Sequence, residues 1–339
     1  MRILLIRQGA IGDIVVTLPT LEILRRNYID THIEAIGNPD YWEIAHKRYY
    51  LDAISKAESA LVSELYAEGG QISKEVSNYF SSFDLIIGYM SDPDGVVTEN
   101  LKKTGANRVV TCPPFPKGDD LHAADYTALI LRGIGIEVNP PLFPMVYLNE
   151  EDLDFARRFL FSIEFNSVEA PLMAPLQSEP LPDLANKPFV AIHPRTFGIK
   201  GLSIEKFVNI GKWIETALGR KAIWIMGVAE EENIEKIKSH FPSSPLLFSC
   251  SLPKVAAVLS LCQLYIGCDT GISHLAAAVA APVIALFGPT NPNVWGPRGK
   301  NVFILKADQM SQIKEDMVKD LVLNHSESAD LEEPKISHI

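Results

Sequence analysis

The stretch 264–287, LYIGCDTGISHLAAAVAAPVIALF, places two five-residue apolar runs on either side of a helical segment. Runs that short do not make a core helix, and their lack of polar alternation means burial on both faces. A doubly buried strand, a helix and a second such strand form the unit from which parallel sheets are built, because parallel neighbours need a crossover of a dozen or more residues. This single stretch therefore commits the chain to an α/β architecture.

The same rhythm extends along most of the 339 residues. In the first half, 2–6, 31–36, 83–89 and 107–111 read as strands, and 13–26, 94–104 and 121–133 as helices. In the second half, strands are expected at 189–193, 221–226, 264–268 and 283–287, and helices at 203–218, 229–239, 252–261 and 270–280. Between the halves, 165–188 loses all periodicity and carries Pro171, Pro175, Pro180, Pro182 and Pro188, a composition that suits a connection. The expected organisation is an N-terminal domain over 1–170, a proline-rich linker over 171–187, a second doubly wound domain over 188–323 and a frayed polar tail over 324–339. Two such domains leave a cleft, and ligands of open α/β sheets bind beyond the carboxyl ends of the strands.

Charge narrows the partners. A formal net charge of −11 repels phosphate backbones and anionic lipid, which argues against nucleic acid and against broad membrane-surface binding. Four cysteines without a C-x-x-C pair argue against both a zinc site and a disulfide framework, and fit a reducing cytoplasm. The apolar start, MRILLIRQGAIGD, is too short for a secretory signal, and no run reaches the ~20 apolar residues of a membrane span.

Four loops after strands hold the residues with chemistry. After the first strand, Arg7-Gln-Gly9-Ala-Ile-Gly12-Asp13 allows close backbone approach at its glycines. Asp13 either caps a helix start or acts as a carboxylate base toward an incoming hydroxyl, and Arg7 either keeps it ionised, binds an anion or is solvated. In HPRTFGIKGLS, 193–203, Arg195, Thr196 and Lys200 precede a helix start, a suitable place for a phosphate or diphosphate; otherwise Lys200 is an ordinary surface lysine. In GVAEEEN, 227–233, Glu230 or Glu231 either favours the helix dipole or accepts hydrogen bonds from ribose hydroxyls. At the opening stretch, Asp269 is expected at the N-cap of a helix beginning at Thr270, with Gly271 clearing space and His274 on the same face. Together they form an anion-receiving corner, in which His274 either donates to the anion or braces the loop.

With these residues in view, the chain resembles glycosyltransferase family 9, the heptosyltransferases of lipopolysaccharide core assembly. The resemblance rests on IRQGAIGDIVVTLPTLEILRRNY, FVAIHPRTFGIKGLSIEKF, IWIMGVAEEE and GCDTGISHLAAAVAAPVIALFGPTNPNVWGP. It implies a GT-B fold of two Rossmann-like domains facing a central cleft, an ADP-heptose donor on the C-terminal domain and an acceptor sugar on the N-terminal one. It further implies an inverting reaction with Asp13 as base and Lys200 beside it in catalysis. The donor contacts it implies are Glu230 or Glu231, Asp269, Thr270, Gly271 and His274; the reading of the loops adds Arg195 and Thr196 on the donor side and Arg7, Gly9 and Gly12 on the acceptor side. Gly9, Arg195 and Leu202 depart from the family pattern, which commonly has a hydroxyl, a glycine and a tryptophan at those positions.

Residues and resemblance together predict one-step displacement at an anomeric carbon, with no cofactor and no essential divalent ion, since no carboxylate cluster accompanies the phosphate loops. The expected location is the cytoplasm, with peripheral contact at the inner face of the cytoplasmic membrane for a lipid-linked acceptor. A sugar-nucleotide epimerase and a non-catalytic nucleotide-sugar-binding protein are the rival readings. A dinucleotide oxidoreductase is disfavoured because no G-x-G-x-x-G follows a strand.

Overall fold

A computed structural model describes residues 1–56, 60–69, 71–164, 189–325 and 334–338. The chain divides into two compact units, Met1–Tyr147 and Leu148–Ile339. Each is built on one parallel sheet flanked by helices.

The first unit's strands are β1 (Arg2–Arg7), β2 (His32–Gly37), β3 (Ala53–Lys56), β4 (Leu85–Tyr89) and β5 (Val109–Cys112), in the order β3-β2-β1-β4-β5. All pairings are parallel, with Leu4 flanked by Glu34 and Ile86. The chain winds outward from β1 to β3 and then returns to the other side of β1 for β4. The loop after β1 therefore lies at the switch point where winding reverses, the place where open α/β sheets leave a crevice.

The second unit's strands are β6 (Phe189–His193), β7 (Lys221–Met226), β8 (Leu246–Phe248), β9 (Leu264–Cys268), β10 (Val283–Phe287), β11 (Val302–Lys306) and β12 (Lys335–His338), in the order β12-β11-β10-β9-β6-β7-β8. Its switch point falls between β6 and β9, so the loops after those two strands meet there. Strands β6, β9 and β10 are buried throughout, as their unbroken apolar runs require. The fold is α/β and doubly wound in both units.

Several elements differ from the sequence reading. The helix expected over 13–26 is two helices, Ile11–Val15 and Leu18–Asn27, because Pro19 suits only a first turn. Unit one ends at Tyr147 rather than 170, since the helix Glu150–Glu164 packs on the Leu252–Ser260 helix of unit two. Lys254 lies over the Phe155 ring at 5.0 Å, and Lys221 Nζ donates to the Ile163 carbonyl at 2.9 Å. The tail is not frayed along its length: Glu315–His325 is helical, and β12 pairs with β11 from Phe303↔Lys335 to Lys306↔His338. The linker 171–187 lies outside the described residues.

Candidate functional site

The first unit's corner is built around Asp13. The chain leaves β1 at Arg7 and passes Gly9 with φ +139°, a backbone that side chains other than glycine rarely adopt. A Cβ at Gly9 would sit 2.5 Å from Asp13 Oδ2, so this glycine is the vacancy into which the carboxylate fits. Asp13 Oδ2 accepts from the Ala10 N–H at 2.7 Å, and Asp13 closes the first turn of its helix in the manner of a capping box. Its other oxygen lies 3.4 Å from Arg7 Nη2. The Asp13 side chain is 15% exposed and that of Arg7 only 1%.

Arg7 is thus a buried guanidinium, not a solvated side chain. Its Nη1 donates to the Pro114 carbonyl, and its carbon lies 5.3 Å from the Tyr89 ring centroid and 5.4 Å from that of Phe115. Burial pulls its pKa below the ordinary arginine value, and Asp13 opposes that pull. Gly12 is an interior residue of the Ile11–Val15 helix, and its carbonyl accepts from Val16 N at 3.0 Å.

The second unit's corner joins the loops after β6 and β9. Lys200 Nζ lies 2.6 Å from Asp269 Oδ2; the lysine side chain is 36% exposed and the aspartate 6%. The Cys268 thiol also points to the Arg195 carbonyl at 3.8 Å, and burial pushes that thiol up to about 12. The loop turns tightly at Gly201, where a Cβ would meet the Thr196 carbonyl carbon at 2.6 Å. Leu202, at the position where the family pattern has tryptophan, is a core residue of this unit.

Thr270, and not Asp269, is the N-cap of the helix, which begins at Gly271. Asp269 is drawn off by Lys200, and the Thr270 hydroxyl makes no capping bond to the helix, whose Ser273 N–H bonds instead to the Thr270 carbonyl at 3.1 Å. His274 is buried one turn in. Beneath the corner, Tyr265 fills the space beside Gly267, and its hydroxyl bonds with Ser273 at 3.0 Å.

Two further residues, one in the turn after β7 and one at the end of β6, brace the site. The buried Asn233 donates to Thr196 Oγ1 at 3.0 Å, which ties the Val228–Asn233 turn to the Lys200 loop. His193 bonds through Nδ1 to the Ile225 carbonyl at 2.9 Å; burial lowers its pKa, with Glu230 opposing. Neither role was legible from spacing, because both depend on which strands are neighbours. Of the two glutamates, Glu230 is buried and accepts from Gly227 N at 3.0 Å, whereas Glu231 is exposed. Arg195 stacks over the Phe197 ring at 4.2 Å. Lys200, Asp269, Thr270, Gly271, Arg195, Thr196 and Glu230 therefore belong to one edge of unit two, and Arg7, Gly9 and Asp13 to one edge of unit one.

Residues 158–323 match the family model Glycosyltransferase family 9 (heptosyltransferase). That match spans just under half of the chain. Matches to curated proteins include lipopolysaccharide heptosyltransferase 1 of Escherichia coli, 35% identical over 102 residues covering 30% of this chain and 31% of that protein. The enzyme of the same name from Pseudomonas aeruginosa is 36% identical over 80 residues, 24% of this chain and 22% of the relative. The aligned stretches thus span less than a third of these relatives.

Solved structures of family 9 proteins extend the likeness in fold to nearly the whole chain. A glycosyl transferase family 9 protein from Veillonella parvula superposes with a TM-score of 0.72 at 18% identity, over 96% of this chain and 97% of the other. The E. coli heptosyltransferase WaaC with ADP gives 0.67 at 19% identity, over 96% and 100%. Among the described residues, no helix is long and apolar enough to cross a membrane, and no three His, Cys, Asp or Glu residues are grouped to hold a metal ion.

Proposed function

We propose that this protein is an inverting glycosyltransferase that moves a heptose from ADP-heptose to a hydroxyl of a lipopolysaccharide core acceptor. The observation that carries this reading is the Lys200–Asp269 contact at the switch point of the second sheet, beside the open N-terminus of the Gly271–Ala278 helix. A part-exposed ammonium held by a buried carboxylate, next to a helix start without a side-chain cap, is a receiver for a diphosphate. The donor is suggested by family 9 relatives solved with ADP and with ADP-2-deoxy-2-fluoro heptose.

In the proposed reaction the acceptor oxygen attacks the anomeric carbon while the bond from that carbon to the diphosphate oxygen breaks. The acceptor proton passes to the Asp13 carboxylate, and the leaving electron pair stays on ADP, stabilised by Lys200, Arg195 and the helix N-terminus at Thr270. Backside attack inverts the anomeric centre. Thr196 and Glu230 or Glu231 complete the donor contacts, and His274 sits behind the first turn. The reading requires both corners to serve one donor and one acceptor, at a cytoplasmic site with peripheral access to the inner membrane face. No step calls for a divalent ion; activity lost to a chelator and restored by Mg²⁺ would reverse that point.

The test is a thermal-shift comparison of nucleotide sugars followed by product analysis. ADP-heptose should raise Tm more than UDP- or GDP-sugars at equal concentration, and the product should carry the inverted anomeric configuration. Turnover of the donor without any acceptor would favour an epimerase, and stabilisation without transfer would favour a binding protein.

A further inference from the structure

The structure assigns Phe115 as the platform on which the sugar ring of the acceptor stacks, so that this residue selects the acceptor presented to Asp13. The inference rests on the reading of Asp13 as the base.

After β5 the chain runs Pro113-Pro114-Phe115-Pro116, and three prolines in four residues fix the local backbone. Two carbonyls of the stretch are gripped from within the unit. The Tyr126 hydroxyl donates to the Pro113 carbonyl at 2.9 Å, and Arg7 Nη1 donates to the Pro114 carbonyl. On this pinned loop the Phe115 side chain is nevertheless 45% exposed. A phenyl ring left nearly half exposed forgoes part of its burial, and here the backbone that carries it is held in place.

The ring's inner neighbour is the Arg7 guanidinium, 5.4 Å from the centroid, and the same guanidinium reaches Asp13 at 3.4 Å. A single guanidinium therefore separates the exposed ring from the proposed base. A pyranose has an apolar face of C–H bonds that packs on the negative face of an aromatic ring, and its hydroxyls project from the rim. The ring and the Asp13 carboxylate share the Arg7 guanidinium as a neighbour, which puts a sugar stacked on Phe115 on the same edge of the unit as Asp13. One phenyl offers the area of one sugar ring rather than that of an acyl chain, and a protein of charge −11 gives little attraction for an anionic bilayer. Because the loop is already rigid, stacking costs little ordering entropy.

The test uses Phe115→Ala, Phe115→Leu and Phe115→Trp in the full chain, with ADP-heptose and a deacylated inner-core oligosaccharide. Phe115→Ala should raise the acceptor KM about five- to tenfold, with ADP affinity and kcat nearly unchanged. Phe115→Trp should restore the acceptor KM, and Phe115→Leu, which keeps apolar volume without a π face, should not. Saturation-transfer NMR with the oligosaccharide alone should show contact to the sugar C–H protons in the wild type and the Trp variant, and none in the Ala variant. Unchanged acceptor KM and undiminished saturation transfer in Phe115→Ala would overturn the platform while leaving the role of Asp13 standing. A wild-type protein that neither binds the oligosaccharide nor transfers to it would remove both. An Ala defect confined to an acylated acceptor would assign the ring to lipid and overturn the sugar assignment.

Discussion

The two units carry mirror-image ion pairs at their switch points. In the first, the cation is sealed and the anion reaches solvent: Arg7 is 1% exposed and Asp13 15%. In the second, the anion is sealed and the cation reaches solvent: Asp269 is 6% exposed and Lys200 36%. Pairing alone would make the two corners equivalent. Burial distinguishes them, because the inner partner can do little but hold, while the outer one can meet a ligand. The first corner thus offers a carboxylate and the second an ammonium, as an acceptor hydroxyl and a departing diphosphate respectively would need.

The comparison breaks most readily at Asp13. Asp13→Asn should cut turnover by about 10²–10⁴-fold while the Tm shift with ADP is kept. A variant that stays active would leave the first corner with a purely structural pair. Lys200→Ala should lower kcat/KM by about 10–100-fold and raise the donor KM, because it removes charge facing the diphosphate and strands the buried Asp269. Equal kinetics would return Lys200 to the surface and end the symmetry.

Smaller effects sharpen it. Gly9→Ala should cost about 1–3 kcal/mol in denaturant unfolding, since its φ is disfavoured for alanine and its Cβ would meet Asp13 Oδ2 at 2.5 Å. In an Asp13→Ala background the penalty should shrink, and additive penalties would show that the two positions do not share space. The smallest effect is a pH dependence. Burial depresses the His193 pKa, so the unfolded chain binds the proton more readily than the folded one. Its stabilising contribution is present above the unfolded histidine range and is lost as pH falls below it. His193→Asn should therefore flatten the stability profile between about pH 7 and 5, by no more than about 1.4 kcal/mol per pH unit. A profile unchanged by the substitution would show that His193 takes up its proton alike in the folded and unfolded chain.

The sequence made strands β1, β6, β9 and β10 legible because each is buried on both faces and reads as an unbroken apolar run. β3, β8 and β12 lie at sheet edges, where AISK, LLF and KISH are too short or too mixed to stand out, whereas VFILK of β11 equals β6 in length and apolar content and is missed without such a reason. The residues of both corners were legible as loops following strands. Their partners were not: no spacing rule joins Lys200 to Asp269, or Asn233 to Thr196, because strand order is decided by tertiary packing. For the same reason Asp269 reads as a helix cap in sequence, and Thr270 takes that place once lysine occupies the carboxylate. Glu230 and Glu231 are indistinguishable as letters, and only the one-residue turn of the backbone buries the first and exposes the second.

The strand β12 has a consequence for handling the protein. Its four residues lie against β11 at the margin of the seven-stranded sheet, with Lys335 over the Phe303 ring at 5.9 Å. Without them β11 would present an unsatisfied row of backbone donors and acceptors, a template for a second chain to zip onto. Trimming or crowding this short stopper would then show itself as cloudiness and sticking in the tube, well before any change in chemistry.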